Sequence, residues 1–248
     1  MNSVALVTGA SRGIGRATAI LLAQKGYAVG VNYVNNTASA QTVVDEIVNA
    51  GGKAIALQAD IADEAQVVAM FQRLSAELGP ITALVNNAGI LFQQSTLEGL
   101  TAERINNVLS TNVTGYFLCC REAVKIMATR HGGKGGAIVN VSSAASRLGA
   151  PGEYVDYAAS KGAVDTLTTG LSLEVAGQNI RVNAVRPGYI YTEMHASGGE
   201  AGRVDRVKAN LPMQRGGQPE EVAQAIVWLL SDSASYVTGS FIELAGGK

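Results

Sequence analysis

Two cysteines, two histidines, one tryptophan and five prolines are all that these residue types contribute to a chain of 248 residues. Cys119 and Cys120 are neighbours in a helical stretch, so their side chains point in different directions. A structural disulfide or a metal-binding pair does not follow from such spacing. His131 and His195 lie far apart with no Cys/His cluster around either, which excludes the usual zinc pattern, and no metal is expected. No apolar run exceeds strand length, so no transmembrane helix is expected. The N-terminus enters "VALVTGAS" without the basic and apolar segments of a secretory signal. Nineteen basic residues balance twenty acidic ones, with no long run of either sign. Neither nucleic acid nor an anionic membrane is therefore expected as a partner. The default is a cytoplasmic protein.

What the chain does have is apolar residues, at 47%, arranged in strand-sized runs. The segments read as strands are 4–9, 28–33, 53–60, 83–89, 137–143, 180–188 and 240–247. Their uniform rather than alternating apolar character fits strands covered on both faces. Between them lie amphipathic stretches such as "EAQVVAMFQRLSAELG", with a 3.6-residue period. Alternating β and α segments predict a doubly wound parallel α/β sheet, and no linker or repeat divides residues 1–248. One domain is expected. In such sheets ligands sit beyond the carboxyl ends of the strands.

The first strand runs into "TGASRGIG", with Gly9, Gly13 and Gly15 just before a helical pattern. Glycines allow a tight turn and close approach of backbone to a pyrophosphate, which the free N–H groups of a helix N-terminus attract. A glycine-rich turn that binds nothing is the plainer reading, and its position between strand and helix counts against it. The second strand ends in "GVNYVNN", with Asn32 where NAD-preferring sites carry a carboxylate for the ribose 2′-hydroxyl. Arg12, inside the glycine turn, can reach a 2′-phosphate or stand as a solvated loop charge. Together these favour NADP(H), with NAD(H) as the alternative. Asp60 closes the third strand, as an acceptor for an adenine amino group or as a helix N-cap. "NNAG" (Asn86 to Gly89) closes the fourth, where Asn86 serves the cofactor or the local backbone.

The fifth strand ends in Ser142 and Ser143 and leads to "GEYVDYAASKGA". Lys161 follows Tyr157 by four residues, one helical turn, which places both side chains on one face about 6 Å apart. Tyr154 is two turns from Lys161, or about 10.5 Å. A phenol with a pKa near ~10 becomes a useful acid only where something stabilises phenolate, and an ammonium does that. Geometry therefore selects Tyr157, leaving Tyr154 as pocket wall or loop packing.

In this combination the chain resembles the classical short-chain dehydrogenases/reductases over essentially its whole length. "TGASRGIG", "NNAG", "NVSS", "YAASK", "RPG" and "TGSFIELAGG" carry the resemblance. It implies a Rossmann-type fold with a seven-stranded sheet, hydride transfer between a nicotinamide and a carbonyl or alcohol, and a homotetramer. It implies Tyr157 as acid or base, Lys161 as its modulator and the holder of the nicotinamide ribose, and Ser143 as the group orienting the substrate oxygen. Asn112, on a long fourth helix, would hold a water linking Lys161 to solvent. Pro187, Gly188, Ile190 and Thr192 would bracket the nicotinamide. Gly9, Ser11, Arg12, Gly13, Ile14, Gly15, Asn32, Asp60, Ile61, Asn86, Ala88 and Gly89 would complete the cofactor site.

Two departures stand out. Ser143 is one residue further from Tyr157 than the family's serine, which leaves Ser142 as a rival. Ala245 stands before the paired glycines in place of an acid. After the sixth strand, Ser197, Gly198, Gly199 and Gly202 predict a mobile lid. It carries Met194, His195, Arg203 and Arg206, which suit a polar or anionic substrate or, more simply, a solvated lid surface. The expected protein is a carbonyl reductase acting on 3-oxoacyl thioesters or sugars. A catalytically idle cofactor-binding regulator, or an isomerase or dehydratase with tightly held cofactor, is the alternative.

Overall fold

Seven short apolar runs become seven parallel strands of one sheet. The computed structural model describes residues 3–248. The strands are β1 (Val4–Val7), β2 (Ala28–Tyr33), β3 (Lys53–Gln58), β4 (Ala83–Asn86), β5 (Gly136–Val141), β6 (Ile180–Pro187) and β7 (Phe241–Leu244). Their order is β3-β2-β1-β4-β5-β6-β7, with every neighbouring pair parallel. The helices are α1 (Gly13–Gln24), α2 (Thr37–Asn49), α3 (Glu64–Leu78), α4 (Ala102–Leu109), α5 (Gly115–Met127), α6 (Ala145–Leu148), α7 (Val155–Val175), α8 (Met194–Ser197), α9 (Arg203–Val207) and α10 (Pro219–Leu230). This is the doubly wound Rossmann-type α/β fold that the alternation predicts. Two apolar clusters, one on each face of the sheet, form the core.

Short polar side chains start the helices. Asn36, Asp63 and Thr101 accept hydrogen bonds from the backbone N–H groups of Ser39, Gln66 and Arg104, respectively. Asp63, further along the loop after β3, takes the cap of α3 that Asp60 was a candidate for. Six strands stop one to three residues short of the expected ends. Gly9 turns out of the first strand at φ +61, and beyond β5 the N–H groups of Ser142 and Ala144 alone continue to β6, donating to the Val185 and Pro187 carbonyls. Burial also fails at the sheet edge, where both ends of β3 are exposed. The crevice that ligands use opens between β1 and β4, where the strand order reverses.

The expected long fourth helix is interrupted. A π-helical turn, Ser110–Thr114, separates α4 from α5 and holds Asn112. Asn112 Oδ1 accepts from the Ile90 N–H at 2.8 Å, and Nδ2 donates to the Ile90 carbonyl at 2.9 Å. These bonds belong to the segment after β4, so the wider turn serves a tertiary contact that periodicity does not contain. Gly115 at its exit is obligatory for packing, because a Cβ there would meet the Ile61 side chain at 2.7 Å.

Gly30, in the middle of β2, has no room for a side chain: a Cβ would meet Leu74 at 2.8 Å and Leu57 at 2.9 Å. Gly30→Ala is expected to destabilise the fold by about 1–3 kcal/mol, read as an earlier urea midpoint. An unchanged midpoint would mean that these leucines yield freely.

Candidate active site

The side chains expected to do chemistry meet where β5 ends and α7 begins. Asp156, in the first turn of α7, is buried and held by Arg104 through bonds of 2.7 and 3.3 Å. Its Oδ1 also accepts from the Tyr157 N–H at 2.9 Å, so this pair fixes the turn that presents the phenol. Tyr157 and Ser143 together line a cavity of about 440 Å³, and the Ser143 hydroxyl acts to lower the pKa of the phenol. Ser142 is turned away, with its hydroxyl donating to the Lys161 carbonyl at 3.2 Å. Of the two serines, Ser143 is the one whose hydroxyl faces the phenol. Tyr154 forms wall rather than centre: it is buried, and its hydroxyl donates to the Gly198 carbonyl at 3.0 Å.

Lys161 is buried at 2% exposure, and Nζ donates to the Val141 carbonyl at 2.8 Å and to the Tyr116 hydroxyl at 3.2 Å. Burial lowers its pKa to about 7, with Asp165 pulling the other way. Burial likewise pushes the Tyr157 phenol up to about 12, opposed by the Ser143 hydrogen bond and by the charge of Arg203. The expectation that Lys161 lowers the phenol's pKa is therefore corrected for this arrangement. Nζ lies 5.6 Å from the Tyr157 ring centre and is directed to Val141 and Tyr116, and desolvation outweighs the attraction.

A second cavity of about 450 Å³ adjoins the first, sharing Ile14, Asn87, Thr192 and Met194 as wall. Gly9, Ser11, Arg12, Gly13, Asp60, Ile61, Ala88 and Gly89 line it. Ile14, Pro187, Gly188, Ile190 and Thr192 line the first cavity beside Tyr157 and Lys161. The glycine turn suits a dinucleotide. A Cβ on Gly9 would come within 2.8 Å of Ala88 Cα, and one on Gly15 within 2.5 Å of Asn87 Nδ2. The N-terminal N–H groups of α1 open onto that turn.

One expected cofactor contact is placed elsewhere, and a second has its amide tied up in structure. Asn86 is wholly buried, and its Nδ2 donates to Asn140 Oδ1 at 2.9 Å and to Cys120 Sγ at 3.2 Å. Its side chain points into the core because it closes β4; successive residues of a strand face opposite ways. Asn87 takes the cavity position, and its Nδ2 donates to the Thr8 and Gly9 carbonyls at 2.8 and 3.1 Å. Asn32 reaches the cavity wall, but its amide is committed to structure. Oδ1 accepts from the Gly9 N–H at 3.1 Å, and Nδ2 donates to the Leu57 and Ala59 carbonyls at 3.2 and 2.9 Å. Asn112 is similarly committed, since its second amide proton goes to Ser160 Oγ at 3.1 Å. Only an oxygen lone pair is left for a water.

The residues missed from the sequence are Asn87, Tyr116 and the neutral group Asn35, Asn36 and Ser39 around the nucleotide cavity. The doubled Asn of "NNAG" was the available signal for Asn87. The lid splits into two classes of arginine. Arg206 is exposed and paired with Glu200, as a solvated surface predicts. Arg203 is corrected: it is buried, pairs with Glu153 and stacks 4.7 Å from the Tyr154 ring centre. The Tyr154–Gly198 bond ties the glycine-rich segment to the same wall. Among the described residues, no group of three or more His, Cys, Asp or Glu could hold a metal ion, and no helix is long and apolar enough to cross a membrane.

A glycine turn at the switch point and a Ser/Tyr/Lys set beside it define a nicotinamide-dependent oxidoreductase. Residues 9–248 match the family model described as enoyl-(acyl carrier protein) reductase. The chain is 78% identical over 246 residues to the Escherichia coli K12 protein described as uncharacterized oxidoreductase YgfF, covering 99% of this chain and 100% of that one. It is 38% identical over 247 residues to the 3-oxoacyl-[acyl-carrier-protein] reductase FabG of Staphylococcus aureus Mu50, covering 100% and 98% of the two chains. The crystal structure of a dehydrogenase/reductase from Sinorhizobium meliloti 1021 superposes with a TM-score of 0.90 at 34% identity, over 99% and 94% of the two chains. A mutant short-chain dehydrogenase/reductase of Serratia marcescens does so at 0.90 and 33%, over 99% and 97%. The chain belongs to the short-chain dehydrogenase/reductase family.

The depressed Lys161 pKa has a consequence for stability. Below pH 7 the folded protein carries the full penalty of a buried ammonium. Between about 7 and 10.5 that penalty is relieved as pH rises, because the unfolded chain holds the proton longer. Lys161→Met is expected to melt higher than wild type at pH 6, with the difference shrinking toward pH 10. A lower melting temperature at pH 6 would show that the bonds to Val141 and Tyr116 outweigh desolvation.

Proposed function

We propose that this protein is an NADP(H)-dependent carbonyl reductase and secondary-alcohol dehydrogenase in which Tyr157 exchanges the proton at the substrate oxygen. The observation that carries this reading is the convergence of Ser143, Tyr157 and Lys161 on one cavity that adjoins the glycine turn. When bound, the nicotinamide dinucleotide supplies or accepts the hydride. The hydroxyl of Ser143 orients the carbonyl oxygen toward the phenol. Tyr157 Oη gives its proton to that oxygen; a phenol held up to about 12 is fully protonated at neutral pH, which favours reduction over oxidation there. Lys161 holds the ribose, with its amine fixed by Val141 and Tyr116. Asn112 fixes Gly89 and Ile90 against Lys161, with a Cβ position at Gly89 only 3.6 Å from Nζ.

The preference for NADP(H) rests on charge. Tyr33 to Asn36 and Ser39 make a neutral wall, and no carboxylate closes β2. Arg12 is exposed at the start of α1 and lines the nucleotide cavity, where a 2′-phosphate would meet a guanidinium. Asp60, in the loop after β3, is a weaker counter-argument because its Oδ1 already accepts from the Ala62 N–H at 2.9 Å. The substrate cavity is mostly apolar, with Leu91, Leu148, Pro151 and Met194 in its wall. That suits the 3-oxoacyl thioesters named for the staphylococcal relative better than sugars. Exposed Phe117 on α5 and Leu173 on α7 offer surface for self-association, with a homotetramer as the proposed assembly.

Wild type and Tyr157→Phe, each given NADPH and NADH with ketones, 3-oxoacyl thioesters, diketones and sugars, test this by nicotinamide absorbance. Wild type is expected to reduce at least one carbonyl class with NADPH and to prefer it over NADH. Tyr157→Phe is expected to lose about 10²–10⁴-fold. Full activity in the variant would remove Tyr157 from the mechanism, and a preference for NADH would remove the role of Arg12.

A further inference from the structure

A second phenol lies beside Lys161, and none of the roles above uses it. Tyr116, in the first turn of α5 just after the π-helical turn, is completely buried. Lys161 Nζ sits 4.9 Å from the centre of its ring and 5.6 Å from that of Tyr157, so the amine lies between two tyrosines. The Tyr116 hydroxyl donates to the Val141 carbonyl at 3.1 Å and accepts from Nζ at 3.2 Å, while Nζ donates to the same carbonyl at 2.8 Å. Three atoms thus close a triangle at the carboxyl end of β5, two residues before Ser143.

We propose that Tyr116 is a positioning residue for Lys161, whose hydroxyl accepts from the ammonium and locks it against the end of β5 beside Tyr157. The inference rests on the roles given above to Tyr157 and Lys161. A proton relay through Tyr116 does not fit. Its one proton is spent on a backbone carbonyl, which passes nothing on, and burial holds the phenol well above 10. What the hydroxyl supplies is an acceptor. A lysine side chain has four flexible carbons, and two fixed oxygens restrict its ammonium to one place at a lower entropic cost on reaction.

The groups facing Lys161 limit what else could hold its charge. On α7 these are Tyr157 and Asp165, of which Asp165 favours the protonated amine. From α5 there is Tyr116, with Cys119 and Cys120 behind it, both thiols raised by burial. The π-helical turn and β5 contribute neutral groups, Asn112 and the Val141 carbonyl. Tyr116 therefore supplies one of the two hydrogen bonds that offset the desolvation of the ammonium. An acceptor favours the charged amine over the neutral one, so removing it lowers the pKa further, and any activity that needs protonated Lys161 is lost at lower pH.

The test is a lysine titration by ¹³C NMR at the Cε carbon, with Lys161→Met identifying the signal among lysines that titrate near ~10.4. Tyr116→Phe, which keeps the ring, is expected to move the Lys161 midpoint down by about one pH unit. The reductase profile should follow, with kcat lowered more at pH 8 than at pH 6. An unchanged midpoint overturns the proposal, whatever happens to melting temperature or overall rate, since a merely structural role moves those alone. Should Tyr116→Phe fail to fold, the Cζ signal of Tyr116 in wild type decides. A step at the midpoint of Lys161 supports the contact, and no step overturns it. Absence of turnover in wild type would break the reductase reading, while the midpoint difference would still decide the role of Tyr116.

Discussion

One buried amine sets the terms for the reactive half of the molecule. Lys161 loses its water inside the protein, and that loss is offset by a backbone carbonyl and a phenol. The carbonyl of Val141, the last residue of β5, faces α7, and the phenol of Tyr116 reaches the same carbonyl from α5. Everything nearby serves to keep that arrangement dry and in place. Arg104 and Asp156 fix the first turn of α7, and Ser142 ties its hydroxyl to the carbonyl of Lys161 itself. Asn112 draws Gly89 and Ile90 against the amine from the other side. A charge held this way is unfavourable for stability and is tolerated where chemistry needs it.

The nucleotide half follows a different logic, in which backbone rather than charge does the shaping. Thr8, Asn32 and Asn87 knit three strand ends together around the glycine turn. Thr8 Oγ1 accepts from the N–H groups of Asn87 and Ala88 at 2.9 and 3.0 Å, and Asn32 accepts from Gly9. The result is a turn whose close approaches admit no side chain at Gly9 or Gly15. Because the two cavities share Ile14, Asn87, Thr192 and Met194, a ligand spanning both passes directly by Ser143, Tyr157 and Lys161.

Much of this was legible in the residues. Strand-length apolar runs alternating with amphipathic stretches were enough to predict seven parallel strands, because burial on both faces leaves that compositional trace. Tyr157 was separable from Tyr154 by helical spacing to Lys161 alone. Legibility ended where a side chain's direction depended on a partner distant in the chain. Asn86 and Asn87 differ by one position in the pleat, and that decides core against cavity. Arg203 looked like one lid charge among several until Glu153, Tyr154 and Tyr189 enclosed it.

Local pattern by itself determined the elements, their order, the glycine turn and the one-turn spacing of Tyr157 and Lys161, since these depend on residues within a few positions of one another. Tertiary structure alone decided which serine faces the phenol, where the fourth helix opens into a π-helical turn, and that Tyr116, 45 positions from Lys161, stands beside it. Such contacts are set by how strands and helices pack across the sheet, and packing leaves no periodic signal in the chain.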